Sequence, residues 1–217
     1  MAQPAGGTTV NATDPRTART RIKIIAAAEE LFSESGWNTI SLRQIAQKCG
    51  LKNTSAVQYH FGDRETLIEE IAKFRMDQME DEREKLLDEL QGEQLHEVRY
   101  ILRCIFLPIV DIVANGKRIY AHFLLQYLLH KRIFMFDIYP SDNGRRPGHQ
   151  LLRAHNLLLE ALPHCSQEEV VRRLIMASIM ILGSIAMYDS IDSPPWARNL
   201  ATDDYDLLDD AARFISH

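Results

Sequence analysis

The chain has 217 residues, 46% of them hydrophobic and 25% charged, enough to bury a real core as one or two domains. No stretch places a basic segment before an apolar one, so no signal peptide is expected. The longest uncharged apolar run, Leu174 to Tyr188, is shorter than the ~20 residues of a membrane span. The net charge of −5 is unevenly spread: residues 1–62 carry seven basic against four acidic side chains (+3), residues 63–217 carry 18 against 26 (−8). That asymmetry fits a small phosphate-facing head on an acidic body.

Residues 1–14 are small, polar and rich in helix breakers, which predicts a mobile arm. Asp14-Pro15 then starts a helix, a capping side chain followed by proline at the first helical position. Ile24, Ile25, Ala28, Leu31 and Phe32 form one apolar stripe, and Gly36 stops it. Ser41 and Gln44 form a capping box, with Leu42, Ile45, Ala46 and Cys49 on one face behind it and Gly50 at the end. A third short helix, about Thr54 to His60, follows four residues later. No segment alternates as a strand would, so the expected fold is all-α.

The spacing of the second and third helices points to a helix-turn-helix. One helix lies across the DNA backbone and the next enters the major groove, joined by a tight turn that often holds glycine. Gly50-Leu51-Lys52-Asn53 is that turn, with Leu51 as its apolar plug. Val57 and Phe61 can pack inward. Lys52, Asn53, Thr54, Ser55, Gln58 and Tyr59 remain outside, and the Gln58 amide can pair with adenine. An ordinary surface helix in a bundle is the competing reading of the same pattern.

The stretch from Arg21 to Phe74 resembles the DNA-binding domain of the TetR family of regulators. The resemblance rests on Ile25-x-x-Ala28, Leu31-Phe32, Gly36-Trp37, Ile45-Ala46, Gly50-Leu51, Tyr59-His60-Phe61 and Glu65-x-Leu67. It implies a three-helix DNA head, residues 16–62 after an arm at 1–15, and a helical effector-binding and dimerisation body, residues 63–217. Residues 63–90 would be the linking helix. It further implies that Arg43 and residues 53–60, including Ala56 and His60, contact DNA, and that Arg64 meets a phosphate. Between Gly50 and Phe61 the chain has one residue more than the family pattern, with Gln58 where tyrosine is common. An enlarged turn and a shifted recognition helix are expected.

In the linking helix Leu67, Ile68, Ile71 and Phe74 face the head, while Arg75 to Lys85 is mostly charged, with only Met76 and Met79 apolar. It reads as a solvated linker, whereas the resemblance implies a helix that transmits motion between body and head. Leu95 to Val113 and Lys117 to Phe136 read as long helices separated by Asn115-Gly116, the first kinked by Pro108. Phe106, Tyr120, Phe123, Tyr127, Phe134, Met135 and Phe136 give this region aromatic and soft apolar bulk. Such a stripe reads as core. In a TetR-like body the same region lines the effector cavity, which suggests an apolar, ring-containing small molecule. Arg99, Arg103 and His122 are the polar partners available to a carboxylate.

Leu174 to Tyr188 is apolar all round and must pack on its own core and on something else. With the later stripe Leu207, Leu208, Ala211, Phe214 and Ile215 it is the expected homodimer interface, through Leu174, Ala177, Ser178, Ile181, Leu182, Ile185, Leu207, Leu208, Ala211 and Phe214. Cys49, Cys104 and Cys165 are odd in number and widely spaced, which suits reduced thiols and a cytoplasmic protein. His149, His155, His164 and Cys165 lack metal-site spacing and read as residues of loops and helix ends. No glycine-rich phosphate loop occurs. The expected function is a repressor, not an enzyme, without metal or cofactor, released from a palindromic operator by a small molecule. A ligand-binding helical dimer without DNA binding, or an enzyme using the body cavity, are the alternatives.

Overall fold

The structure is a computed structural model and describes residues 15–36, 39–112, 118–131, 148–189 and 204–216. The predicted arm at 1–14, the Asn115-Gly116 break, Phe134, Met135 and Phe136 lie outside the described residues. All regular structure among those described is helical.

Helix α1 (Pro15–Ser35) begins at the proline and ends before Gly36, whose φ of 79° is a left-handed conformation that glycine adopts without cost. It buries Ile24, Ile25, Ala28 and Phe32. Helix α2 (Leu42–Lys48) starts at the predicted capping box. The Gln44 N–H donates to Ser41 Oγ at 3.3 Å and the Ser41 N–H donates to Gln44 Oε1 at 2.8 Å. It closes in a Schellman turn: the Gly50 N–H reaches the Gln47 carbonyl and the Leu51 N–H the Ala46 carbonyl, at 3.0 and 2.9 Å. Helix α3 (Ser55–Phe61) buries Val57 and Phe61. Helix α4 (Arg64–Glu89) is capped by Asp63, whose Oδ1 accepts the Thr66 N–H at 2.8 Å.

Beyond α4 a short 3-10 helix (Gly92–His96) precedes α5 (Val98–Val110). The single helix expected from Leu95 to Val113 is therefore shorter, because Glu97 is extended at φ −98° and ψ 114°. Pro108 falls in the last turn of α5. Helix α6 (Ile119–Lys131) covers the core of the second long prediction. Helix α7 (His149–Ala161) was not read from the sequence, although Leu151, Ala154 and Leu158 at i, i+3 and i+7 form its buried stripe. His155 belongs to that stripe, so it is buried inside a helix instead of sitting in a loop or at a helix end. Helix α8 (Gln167–Tyr188) opens with another capping box, Ser166 and Glu169, and α9 (Asp204–Ser216) ends the described chain.

One continuous apolar core runs from head to body. Helix α5 is enclosed by α4, α7 and α9, while α6 lies between α8 and the head helix α1. Helix α8 is long and apolar enough to cross a membrane by length and composition, yet it packs against α6 and α9.

The charged middle of α4 is only partly solvated: Asp77, Asp81, Glu82 and Lys85 are exposed, but two of its arginines are not. Arg83 is buried: one guanidinium nitrogen donates to Glu80 at 3.1 Å, another to the Ile105 carbonyl at 3.3 Å, and its Nε has no hydrogen-bond partner among the described residues. Pro108 removes the N–H that would bond the Cys104 carbonyl, and the next carbonyl along, that of Ile105, is the one Arg83 meets. Glu80 also accepts the Gln150 N–H at 2.8 Å, which places an anion on the open first turn of α7, where the Gly148 cap offers no side chain. Nearer the head, Arg75 holds the buried carboxylate of Glu29 through two nitrogens, one at 2.8 Å. Both buried charges follow one rule: a charge leaves water only with its partner in place.

Candidate nucleic-acid interface

The Schellman turn directs the chain out of α2, and residues 51–54 join it to α3. Asn53 Oδ1 accepts the Ser55 N–H at 3.1 Å, so this side chain caps the helix start while its amide nitrogen remains a donor. Thr54 contributes no side-chain cap, and α3 starts one residue later than expected. Arg43, Lys52, Asn53, Ser55, Gln58 and Tyr59 are exposed, Tyr59 at 81%; Thr54, Ala56 and His60 are half-buried. Arg43, Gln47, Gly50, Lys52, Asn53 and Thr54 rim a hollow of about 660 Å³ beside the turn. Six of the nine predicted residues of α2, the turn and α3 are thus exposed, with cationic and amide groups among them.

Two of these residues are more constrained than sequence alone suggested. Burial, with the Arg21 guanidinium adding to it, pushes the His60 imidazole below its ordinary value, so the ring is neutral at pH 7. It sits edge-on to Tyr59 at 5.3 Å. Arg64 is a strut as well as a cation. Its Nε donates to the Ile40 carbonyl at 3.0 Å, Nη1 pairs with Glu65 at 3.1 Å, and the guanidinium lies 5.4 Å from the Phe32 ring centre. It holds the chain just ahead of the α2 cap.

Residues 24–71 match the family model described as bacterial regulatory proteins, tetR family. The matched span covers α2 and α3 and takes in the buried stripe of α1 and the first turns of α4. The family model thus identifies the head, over residues 24–71, as a tetR-family one. The chain is 24% identical over 170 residues to the HTH-type transcriptional regulator AcrR of Shigella flexneri, an alignment covering 77% of this chain and 75% of that protein. Among solved structures it resembles a TetR-family transcription regulator from Marinobacter aquaeolei VT8, with a TM-score of 0.58 and 13% identity over 90% of this chain and 96% of the other. A putative TetR-family regulator from Rhodococcus sp. gives a TM-score of 0.56 and 14% identity over 92% and 100%. At those identities the structural likeness shows the fold.

In the body, the expected aromatic effector residues that fall among the described ones, Phe106, Tyr120, Phe123 and Tyr127, are buried in the core. Tyr120, Phe123 and Tyr127 stack along α6 with 6.1 Å between neighbouring ring centres, and Phe123 meets Phe32 of the head at 6.4 Å. The three polar candidates each face an acid of the same chain: Arg99 meets Glu97 at 2.8 Å, Arg103 meets Asp209 at 2.8 Å, and His122 lies 3.3 Å from Asp189. Burial alone would raise the Asp189 carboxyl, but His122, the Arg118 N–H and the Arg118 charge outweigh it and hold it below its ordinary value.

The expected dimer residues need correcting. Leu174, Ala177, Ser178, Ile181, Leu182 and Ile185 of α8 are buried within the protomer, as are Leu208 and Ala211 of α9. Leu207 is partly buried against the same core. These side chains point inward because α8 and α9 pack on each other, on α5 and on α6 before any partner arrives. Of the predicted set only Phe214 is exposed, at 47%. The outward strip on α8 is Met176, Ile179 and Met187, with Gly183 between them facing open space. Sequence reasoning also passed over Glu29 and Arg83. Each falls on an apolar stripe, Glu29 between Ile25 and Phe32 and Arg83 between Met79 and Leu87. A charge at such a position signals a buried partner.

Proposed function

We propose that this chain is a TetR-family, cytoplasmic, homodimeric repressor that binds a palindromic operator and releases it when an apolar, ring-containing small molecule binds the body. The observation that carries the reading is the outward face formed by Arg43 of α2, Lys52 and Asn53 of the turn, and Ser55, Gln58 and Tyr59 of α3. Short hydrogen-bonding groups on an exposed helix that follows a glycine-closed turn suit base edges in a major groove, and the flanking cations suit phosphates. Arg64 adds a charge at the start of α4.

The dimer in this reading forms through the outward strips of α8 and α9, Met176, Ile179, Met187 and Phe214, with the gap at Gly183 admitting the partner helix. Two heads then address two half-sites about 34 Å apart or a multiple of it. The effector lies against the aromatic stack of α6. Release requires that it bind the DNA-free arrangement more tightly than the DNA-bound one. The reading contains no catalytic step.

The test uses the full chain and a fragment carrying its own upstream region. Sedimentation should give a dimer, and the fragment should shift at low salt. Gln58→Ala should cost about 1–3 kcal/mol of discrimination at one base position. Met187→Asp should give monomers that no longer shift the fragment. A wild-type monomer with no preference for its own upstream DNA overturns the proposal.

A further inference from the structure

Helix α3 has only seven residues, with Asn53 of the turn capping its start, and two buried side chains, Val57 and Phe61. Its pose in the head therefore depends on what grips those two. Val57 lies in the core common to the head helices. Phe61, the last residue of the helix, is gripped from outside as well. The Arg21 guanidinium of α1 lies 4.7 Å from the Phe61 ring centre and pairs with Glu70 of α4. One side chain thus joins α1, the end of α3 and the second turn of α4.

We propose that Arg21 is a positioning residue for the recognition helix, clamping Phe61 against α4 and so setting how α3 is presented to DNA. The proposal rests on the reading that α3 contacts DNA. Arg21 suits the task because its guanidinium is planar, permanently charged and weakly hydrated, so it can cover a ring while pairing with a carboxylate at its edge. Glu70 holds one nitrogen of the guanidinium, which ties it to α4. The same guanidinium adds to burial in lowering the His60 imidazole, so that ring reports on its presence. Arg21 is two-thirds covered, with 35% of its side chain accessible, and that cover comes from groups of its own head.

A basic residue of the head could instead touch a phosphate, and the two roles leave different traces. A lost phosphate contact weakens binding to every sequence and lowers the salt slope by about one unit. A lost clamp misplaces α3. It weakens binding to the operator fragment, leaves random DNA nearly untouched and keeps the slope.

The experiment compares wild type, Arg21→Gln, Arg21→Lys and Phe61→Leu in the full chain. Affinities for the upstream fragment and for a random duplex of equal length are measured from about 50 to 200 mM salt. Arg21→Gln should lose about tenfold on the upstream fragment and stay within about twofold on random DNA, with an unchanged slope. Arg21→Lys should recover only part of the loss, since an ammonium cannot both cover the ring and fork onto Glu70. Adding Arg21→Gln to Phe61→Leu should cost little more than Phe61→Leu alone. In the absence of DNA, the His60 ring protons should titrate at higher pH in Arg21→Gln than in wild type. Equal losses on both duplexes with a reduced slope, full additivity with Phe61→Leu, or an unmoved His60 titration each overturn the clamp. Absence of any preference in the wild-type protein defeats the DNA reading itself, while the His60 titration still judges the clamp.

Discussion

The first three turns of α4 and the last two are held by different partners. Between Arg64 and Arg75 the helix is tied to the head: Arg64 to the Ile40 carbonyl, Glu70 to Arg21, Arg75 to Glu29. Between Glu80 and Asp88 it is tied to the body: Glu80 and Glu84 to Gln150, Arg83 to Ile105, Asp88 to Arg153. On α1 the two ion pairs run with opposite polarity, since Arg21 meets an acid of α4 and Glu29 meets a base. A slip of one helix along the other would separate both pairs, so register is specified as well as contact. The change of partners falls inside a continuous helix, across residues 76–79.

The body half should give the largest response. Arg83→Met leaves Glu80 without its cation in a buried site and should cost about 3–5 kcal/mol, read from the denaturant midpoint. Glu80→Gln added to it should recover more than half, because the amide can still accept the Gln150 N–H. A neutral Arg83→Met would mean that the body half is held by apolar packing alone.

The head half is more open to water, and its response should be smaller and differently placed. Arg75→Ala strands the Glu29 carboxylate, for a loss of about 2–3 kcal/mol. Operator binding should fall before any effector response does, which a paired DNA-shift and ligand-melting assay would detect. Simultaneous loss of both would merge the two units into one.

Acid should act on both regions through buried imidazoles. Burial pushes His155 of the body below its ordinary value, as it does His60 of the head. The unfolded chain then takes up protons near pH 6.5 that the folded chain refuses. Stability is full above that pH and declines as pH falls from there toward the folded values. His155→Leu should flatten part of that decline, and His60→Gln a smaller part, in urea midpoints measured across this range. The exposed pair at the far end of α4 should give least. Asp88→Ala, which frees Arg153, should shift stability by about 0.5 kcal/mol or less, and a larger loss would show that the end of α4 is anchored there.

What the residues determined by themselves was local. The capping box at Ser41 and Gln44, the glycine stop at Gly50 and the stripe from Ile24 to Phe32 act within one or two helical turns, so neighbours in sequence suffice to specify them. The outward set on α3 was legible for the same reason, since seven residues have only one way to bury Val57 and Phe61. Tertiary structure decided everything that needed a choice among distant partners. Helix α8 is apolar all round, so periodicity could not say which strip faces the core; packing against α6 and α9 put Ile181 and Ile185 inside and left Met176 and Met187 out. The aromatic side chains of α6 could line a cavity or fill one, and their stacking on each other and on Phe32 is a property of the fold. The fates of Glu29, Arg83 and Arg21 were settled in the same way. A charged side chain is solvated unless an opposite charge or a ring stands within a few ångströms, and the partners that meet this condition are 46 residues away for Glu29, 22 for the Ile105 carbonyl at Arg83 and 49 for Glu70 at Arg21.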